Sequence, residues 1–460
     1  MVNHATRVTM TGATWRSPRL ILILALAFLI LRNVPLGWIM PLWAFGDEMG
    51  HLDCAMKWGR GRVPQPLDRL EPALFELHRT RADFRYGSVT PTPPVTSLDQ
   101  MRLGGYTYQA KHPPLVHWIM AVFLKLFGAL GVSLFVQVKL FRMISLAAAA
   151  GGILVLYAGL RRTGRRDVVL YAPLLFIALL AQDIFFVVNT DTFSFLFGCC
   201  VLAGMMEILR QPLSRRAWVL CAAGTVLMMG TKIINGYVFG LWGLLGLVLW
   251  RKGADRHVRR LFLAGLLVAL ALSAPWYVYN FARYSNPAYY DYVGLFGKNP
   301  YVPAGISLPR AVEFVQAYTR TLFRGEMIWN GVYYDILHGA SRDVLITAVP
   351  VLIFLLGLVR AFTGGKSPGN DPRDLEARSF LAIWGVLAIA GLVFGFFFIG
   401  GAPYYQVRLS LAILYPILFI FGLGWRAFLK NDDLFLAVPS SFLFIYNAAH
   451  TLILLGKVMT

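Results

Sequence analysis

KLFRMISLAAAAGGILVLYAGLRRTGRR, residues 139–166, decides the architecture. The stretch from Lys139 to Leu160 is almost wholly apolar, and a block of arginines follows at once. A helix needs about twenty apolar residues to cross the roughly 30 Å hydrocarbon layer. Backbone amides there have no water to bond to, so they must bond within the segment, which selects a helix. Basic residues at the end of such a run mark the cytoplasmic side.

The same pattern recurs outward in both directions. Spans are expected at 19–40, 139–160, 168–188, 192–209, 217–231, 233–250, 261–281, 343–362, 380–399, 404–424 and 434–455. The whole chain reads as an all-α polytopic membrane protein, one integral domain over 1–460, with about eleven transmembrane helices. Its composition agrees: 57% of residues are hydrophobic and 14% charged, and mean hydropathy is +0.60. The net charge of +20 does not point to nucleic acid. Lys and Arg gather in short blocks between the apolar runs, RRTGRR at 161–166, RQPLSRR at 210–216 and RKGADRHVRR at 251–260, as the positive-inside rule requires. Of the four cysteines, Cys199, Cys200 and Cys221 fall inside spans and Cys54 stands alone, with neither metal spacing nor a disulfide framework. The first span lacks a small-residue cleavage site after it and reads as an uncleaved anchor.

Segment 113–131 is ambiguous. It is long enough to cross but carries His117 and Lys125. Charge parity separates the two cases. Arg7, Arg16 and Arg19 place the N-terminal tail in the cytoplasm, so the first span runs outward. If 113–131 crossed, every later basic block would fall outside. If it lies along the outer surface, all of them fall inside, together with the 363–379 linker, so an interfacial helix is expected. Two long outer loops result, 41–138 and 282–342, and loops of that size in a compact protein usually carry function. Everything points to a multi-pass protein of the plasma (inner) membrane with its site on the periplasmic or extracellular side.

Inside the first outer loop, GDEMGHLDCAMKWGRGRVP at 46–64 puts an acidic pair, Asp47-Glu48, at the bilayer boundary, where carboxylates are costly. Read as a helix over 46–60, it sets Asp47, His51, Cys54 and Trp58 on one stripe and Met49, Leu52 and Met56 on the other. The polar stripe is expected to face a cavity and the apolar one to rest on lipid or on span tops. An acidic pair that merely complements the helix dipole is the alternative. YQAKHPPLVHW at 108–118 brings Lys111 and His112 ahead of two prolines that can start a helix. Asp191, after Asn189, is either a second acid or a helix cap. Arg408 lies in an apolar run and either meets an anion or snorkels. Lys232 and Asn235, between two spans, either line the outer cavity or snorkel. Tyr and Trp are dense at 276–292 and 329–334, which suits sugar rings and interface belts equally. Glu48 could assist Asp47 or take a divalent cation, but no accompanying ligand set is visible, and no other cofactor is suggested.

Taken in order, these strings resemble the GT-C superfamily of polytopic glycosyltransferases. GDEMGHLDCAMKWGRGRVP looks like the first outer loop of its members. YQAKHPPLVHW resembles the HPPL element of protein O-mannosyltransferases and of bacterial aminoarabinose-type and lipopolysaccharide-core transferases. NTDTFSFLFG at 189–198 is similar to an Asn-Asp helix junction, and APWYVYNFARYSNP at 274–287 to a Trp-Tyr-x-x-Asn segment. RTLFRGEMIWN at 320–330 and YYQVRLSLAILYP at 404–416 are weaker echoes. The late Arg-Tyr pair of the family stands here as Arg408-Leu409.

The resemblance implies transfer of a sugar from a polyprenyl-phosphate donor to a hydroxyl of a lipid, glycan or protein acceptor. Such a donor carries its own leaving group. A base must take the acceptor proton, and attack opposite the phosphate inverts the anomeric carbon. Asp47 is expected as that base, with Glu48 and Asp191 as further acids. Lys111, His112, Arg324 and Arg408 are expected to hold the donor phosphate, and His51, Trp58 and Tyr404 to bind substrate. The rival from another class is a transporter or flippase of lipid-linked saccharides, which should instead show paired inverted halves and midplane ionisable groups. A noncatalytic membrane assembly partner is a third reading.

Overall fold

The computed structural model describes residues 17–43, 47–65, 68–81, 97, 105–164, 167–180, 183–284, 307–324, 340–363, 372–394 and 411–459. Among these the protein is all-α apart from one isolated bridge between Arg69 and Tyr106. We number the helices α1 (Pro18–Ile39), α2 (Glu48–Gly59), α3 (Pro72–Arg81), α4 (Leu115–Ala129), α5 (Leu134–Arg162), α6 (Val168–Leu179), α7 (Asp191–Arg210), α8 (Arg215–Met229), α9 (Val238–Arg251), α10 (Arg256–Tyr284), α11 (Leu308–Arg324), α12 (Ala340–Thr363), α13 (Pro372–Phe394), α14 (Leu414–Phe428) and α15 (Asp432–Met459). Short 3₁₀ turns lie at Tyr108–Lys111, Asp183–Phe186 and Ile233–Tyr237.

Seven described helical stretches are long and apolar enough to cross a membrane: α1, α5, α7, Ile234–Arg251, α10, Leu411–Phe428 and much of α15. The protein is therefore a polytopic membrane protein. The other four expected spans coincide with α6, α8, α12 and α13, whose apolar described stretches are shorter. The expected span 168–188 is broken. Its helix stops at Leu179, Leu180 turns to extended geometry, and the chain resumes as the 3₁₀ turn from Asp183. At the resumption the Asp183 carboxylate is buried and held by Arg32 of α1 at 2.5 Å.

Burial follows sequence periodicity. In α1 the stripe Ile21, Ala25, Leu29, Leu36 is buried, while Ile23, Ile30 and Leu31 point outward, as lipid-facing residues do. α6 is buried all round, and α7 and the Leu414–Gly424 stretch of α14 nearly so, forming the centre of the bundle. Small residues permit close approach: Gly159 of α5 lies against Ala203 of α7, and Gly424 of α14 against the backbone of Ile353 in α12.

The bundle has two chemically distinct poles. At one, cations cap helix ends. Arg210 donates to the carbonyl of Arg162 (2.7 Å), Lys252 to that of Leu209 (3.2 Å) and Arg360 to that of Arg426 (2.8 Å). Last-turn carbonyls have no helical partner, and a basic side chain satisfies them. Arg378 reaches Asp167 at the same pole (2.8 Å). The opposite pole holds α2, α3, α4 and the 3₁₀ turns. The chain leaves α1 and enters α5 at this second pole, because Arg142 near the start of α5 donates to the carbonyls of Gly37, Met40 and Pro41. α4 thus does not carry the chain from pole to pole. Its 15 residues would measure only about 22 Å, short of the roughly 30 Å core.

Candidate active site

The acidic pair splits. Glu48 opens α2 and turns inward, fully buried, where Arg142 grips both carboxylate oxygens at 2.8 and 2.7 Å and the amide of Val188 adds a third bond at 3.2 Å. A buried carboxylate so occupied fixes geometry. It joins the start of α2 to α5 and to the turn before α7, its oxygens taken up by the Arg142 guanidinium and the Val188 amide. Among the described residues no group of three His, Cys, Asp or Glu is placed to hold a metal ion. Asp47, one residue earlier, stays partly exposed at the N-cap position and makes no capping bond with its side chain. Just upstream, buried Trp43 takes φ 62°, a left-handed conformation that costs a bulky residue roughly 1–3 kcal/mol and is held where the surroundings demand it.

α2 is more enclosed than its two stripes suggested. Met49 and Leu52 are buried, but so are His51, Asp53, Cys54 and Lys57. The helix rests on protein on both faces, because the return segment 68–71 and the 105–107 segment close over it. Lys57 bonds Asp53 at 2.7 Å, the carbonyl of Arg69 at 2.8 Å and the hydroxyl of Thr107, while Asp53 accepts from the amide of Glu71 at 2.8 Å. Burial raises the Asp53 pKa, and Lys57 opposes that shift. The Asp53/Lys57 spacing of four is legible as a helix pair, yet only the fold reveals that it is a buried clasp.

His51 faces α4 and meets His117, Nδ1 to Nε2, at 3.1 Å. Its ring also stacks over His112, centroids 5.8 Å apart. Burial pushes His51 and His112 well below the usual imidazole range, with the positive charges of Lys111 and Lys232 adding to the effect, and His117 falls to about 3 through burial. Asp47 acts on His51 in the opposite sense. The three rings are therefore neutral at pH 7, framed by two cations and one carboxylate. His117 was visible in the sequence only as an oddity in an apolar helix.

Asp191 opens α7 and is held by Lys232 at 2.5 Å. The cap of α7 comes from Asn189, whose side-chain oxygen accepts from the amide of Thr192 at 2.8 Å. Asn235 bonds Ser194, Thr231 and the carbonyl of Met228, fixing the Lys232 turn against α7 and α8. The turn also meets α4, where the amide of Leu115 donates to the carbonyl of Gly230 at 3.3 Å. Asp47, His51, Lys111, His112 and Lys232 thus converge at the second pole, with Asp191 behind Lys232. Trp58 packs against Trp118 (centroids 5.4 Å) and Trp276 (6.3 Å), linking α2 to the end of α10. Arg324 closes α11, but its side chain, like Tyr404 and Arg408 entire, lies outside the described residues.

Residues 111–279 match the family model of dolichyl-phosphate-mannose-protein mannosyltransferases. The matched segment takes in Lys111, His112, His117, Asp191, Lys232 and Trp276, and begins after Asp47, Glu48 and His51. It agrees with the resemblance carried by the motifs, that of a polytopic membrane glycosyltransferase. No curated protein matches the chain. Among solved structures the chain is similar to ArnT from Cupriavidus metallidurans bound to undecaprenyl phosphate, at 16% identity over 91% of this chain and 80% of that one, TM-score 0.37. The apo state of ArnT from the same organism matches at 14% identity over 89% and 78%, TM-score 0.36.

Proposed function

We propose that this protein is a membrane glycosyltransferase that moves a sugar from a polyprenyl-phosphate donor to a hydroxyl acceptor on the non-cytoplasmic face. The observation that carries the reading is the division of labour in the acidic pair. Glu48 is fully buried on Arg142, and Asp47 beside it is the partly exposed carboxylate next to a cationic, histidine-lined corner. The family match over 111–279 supports the reaction class and a lipid-phosphate sugar as donor.

In this account Asp47 takes the proton of the acceptor hydroxyl as its oxygen attacks the anomeric carbon. The carbon–oxygen bond to phosphate breaks on the opposite side, and the product is inverted. Lys111 supplies charge to the departing phosphate, and neutral His112 can add one N–H bond. Arg324 and Arg408 are further candidates for that phosphate. Lys232 holds Asp191 while contributing positive potential to the same corner. The outward orientation is supported by the two poles: capping arginines and lysines suit the cytoplasmic end by the positive-inside rule, and the corner formed by the 41–138 loop with Asp191 and Lys232 lies at the other.

The test is product analysis with purified protein in proteoliposomes loaded with undecaprenyl-phosphate-[14C]mannose and a mixed lipid extract as acceptor. A transferase releases undecaprenyl phosphate and labels a new molecule. Movement of the intact sugar-lipid between leaflets, with no bond broken, would establish the flippase instead.

A further inference from the structure

His117 stands in the first turn of the largely apolar α4, and the reaction outlined above gives it no task. It is 1% exposed, as is His51, whose Nδ1 lies 3.1 Å from its Nε2. The ring of His112 stacks on His51 as well, at 5.8 Å and 25°. α2 and α4 approach closely: a side chain at Gly59 would lie 3.7 Å from Ala121. The two backbones thus hold the rings in register. The amide of His51 bonds the carbonyl of Asp47 at 3.1 Å, so those two residues lie one turn apart.

A neutral imidazole carries one N–H and one bare nitrogen, and the bond made at one nitrogen decides what the other offers. The His51–His117 pair therefore has two arrangements. If His51 donates from Nδ1, its Nε2 is bare and His117 keeps its own proton on Nδ1. If His117 donates from Nε2, His51 accepts at Nδ1 and carries its proton on Nε2. No acceptor among the described residues meets His117 Nδ1, and burial alone bears on the charge of that ring. A buried N–H without an acceptor is costly. His51 differs, because the Asp47 carboxylate acts on it more strongly than Lys232 or Lys111 does. A proton on His51 Nε2 is stabilised where one on His117 Nδ1 is not, so the second arrangement prevails.

We propose that His117 is a positioning residue: by donating from Nε2 it fixes His51 as an Nε2–H donor to an oxygen of the bound substrate. The proposal rests on the transferase reading and deepens it. It makes His51 a neutral, preset donor, of the kind that stabilises charge developing on oxygen without reorganising at the moment of reaction.

The experiment combines nitrogen NMR of the full chain, labelled with [15N]histidine in nanodiscs, with transfer kinetics from undecaprenyl-phosphate-mannose. Protonated and bare ring nitrogens resonate far apart, and His51→Gln identifies the His51 signals. Wild type is expected to show His51 protonated on Nε2. His117→Leu should leave His51 in both tautomers and lower kcat by about tenfold, the scale of losing a partner that orients a histidine, with KM little changed. His117→Gln, whose amide still donates, should restore the single tautomer and most of kcat. His117→Glu, ionised and able only to accept, should not. The wild-type spectrum decides the tautomer whether or not the leucine variant folds. A His51 proton on Nδ1 in wild type, or an unchanged kcat in His117→Leu, would overturn the assignment and leave the transferase reading standing. Wild type with His51 protonated on Nε2 that releases no undecaprenyl phosphate would overturn the transferase reading instead.

Discussion

His51, His112 and His117 sit within one another's reach and are all depressed in basicity by burial. The consequence for stability has a definite sign. An unfolded chain protonates its histidines near pH 6.5, whereas these rings in the folded protein resist protonation until well below that. Between the two values the unfolded state binds more protons, so their contribution is complete above about pH 6.5 and is lost as the pH falls. Each ring adds a slope approaching about 1.4 kcal/mol per pH unit within that window. Thermal melting in detergent should therefore fall steeply from pH 7 to pH 5. His117→Gln, which removes the ring taken to about 3, should flatten the dependence. A melting temperature indifferent to pH over that interval would mean the rings are solvated.

Arg142 shows how one side chain can hold several elements. It belongs to α5, grips Glu48 at the start of α2, and closes the carbonyl end of α1. Removing one member of a buried pair leaves the other charge stranded, at a cost of about 3–5 kcal/mol. Arg142→Met should accordingly lower yield and melting temperature sharply, and adding Glu48→Gln should recover part of the loss. A second element-level prediction concerns α14. A side chain at Gly424 would meet the backbone of Ile353, so Gly424→Val should push α12 and α14 apart, costing about 1–3 kcal/mol of stability. Melting curves of the two variants check both statements. The helices themselves were legible in the sequence, since an apolar run between basic blocks leaves little choice, and α2 was legible as a helix within 46–60, while its burial on both faces was not. The break after Leu179 was not, because the apolar run continues through Ile184–Val188. The partner of Asp183 at the break, Arg32, lies 151 residues away in the chain. Likewise the partners of Glu48 and Asp191 lie 94 and 41 residues away. No local pattern encodes such pairings; they arise from which helices pack together.

At the scale of the molecule, the central arrangement is polar in the literal sense, with capping cations at one end and the carboxylate–histidine corner at the other. That arrangement makes a prediction about sidedness. Cysteines placed at the exposed positions Arg60 and Lys125 should react with an impermeant maleimide applied to intact cells. One at exposed Arg251 should react only after permeabilisation. The native cysteines give little background, because Cys54, Cys199 and Cys221 are buried. Labelling of Lys125→Cys from the cytoplasmic side alone would make α4 a crossing helix and invert the later topology. In the proposed function, catalysis depends on Asp47. The most direct measurement is single-turnover transfer from undecaprenyl-phosphate-[14C]mannose by wild type and Asp47→Asn, with lipid binding measured on the same preparations. The account predicts a loss of at least about 10²-fold in transfer, the scale of a missing general base, with donor affinity retained. Transfer by Asp47→Asn at the wild-type rate would contradict it.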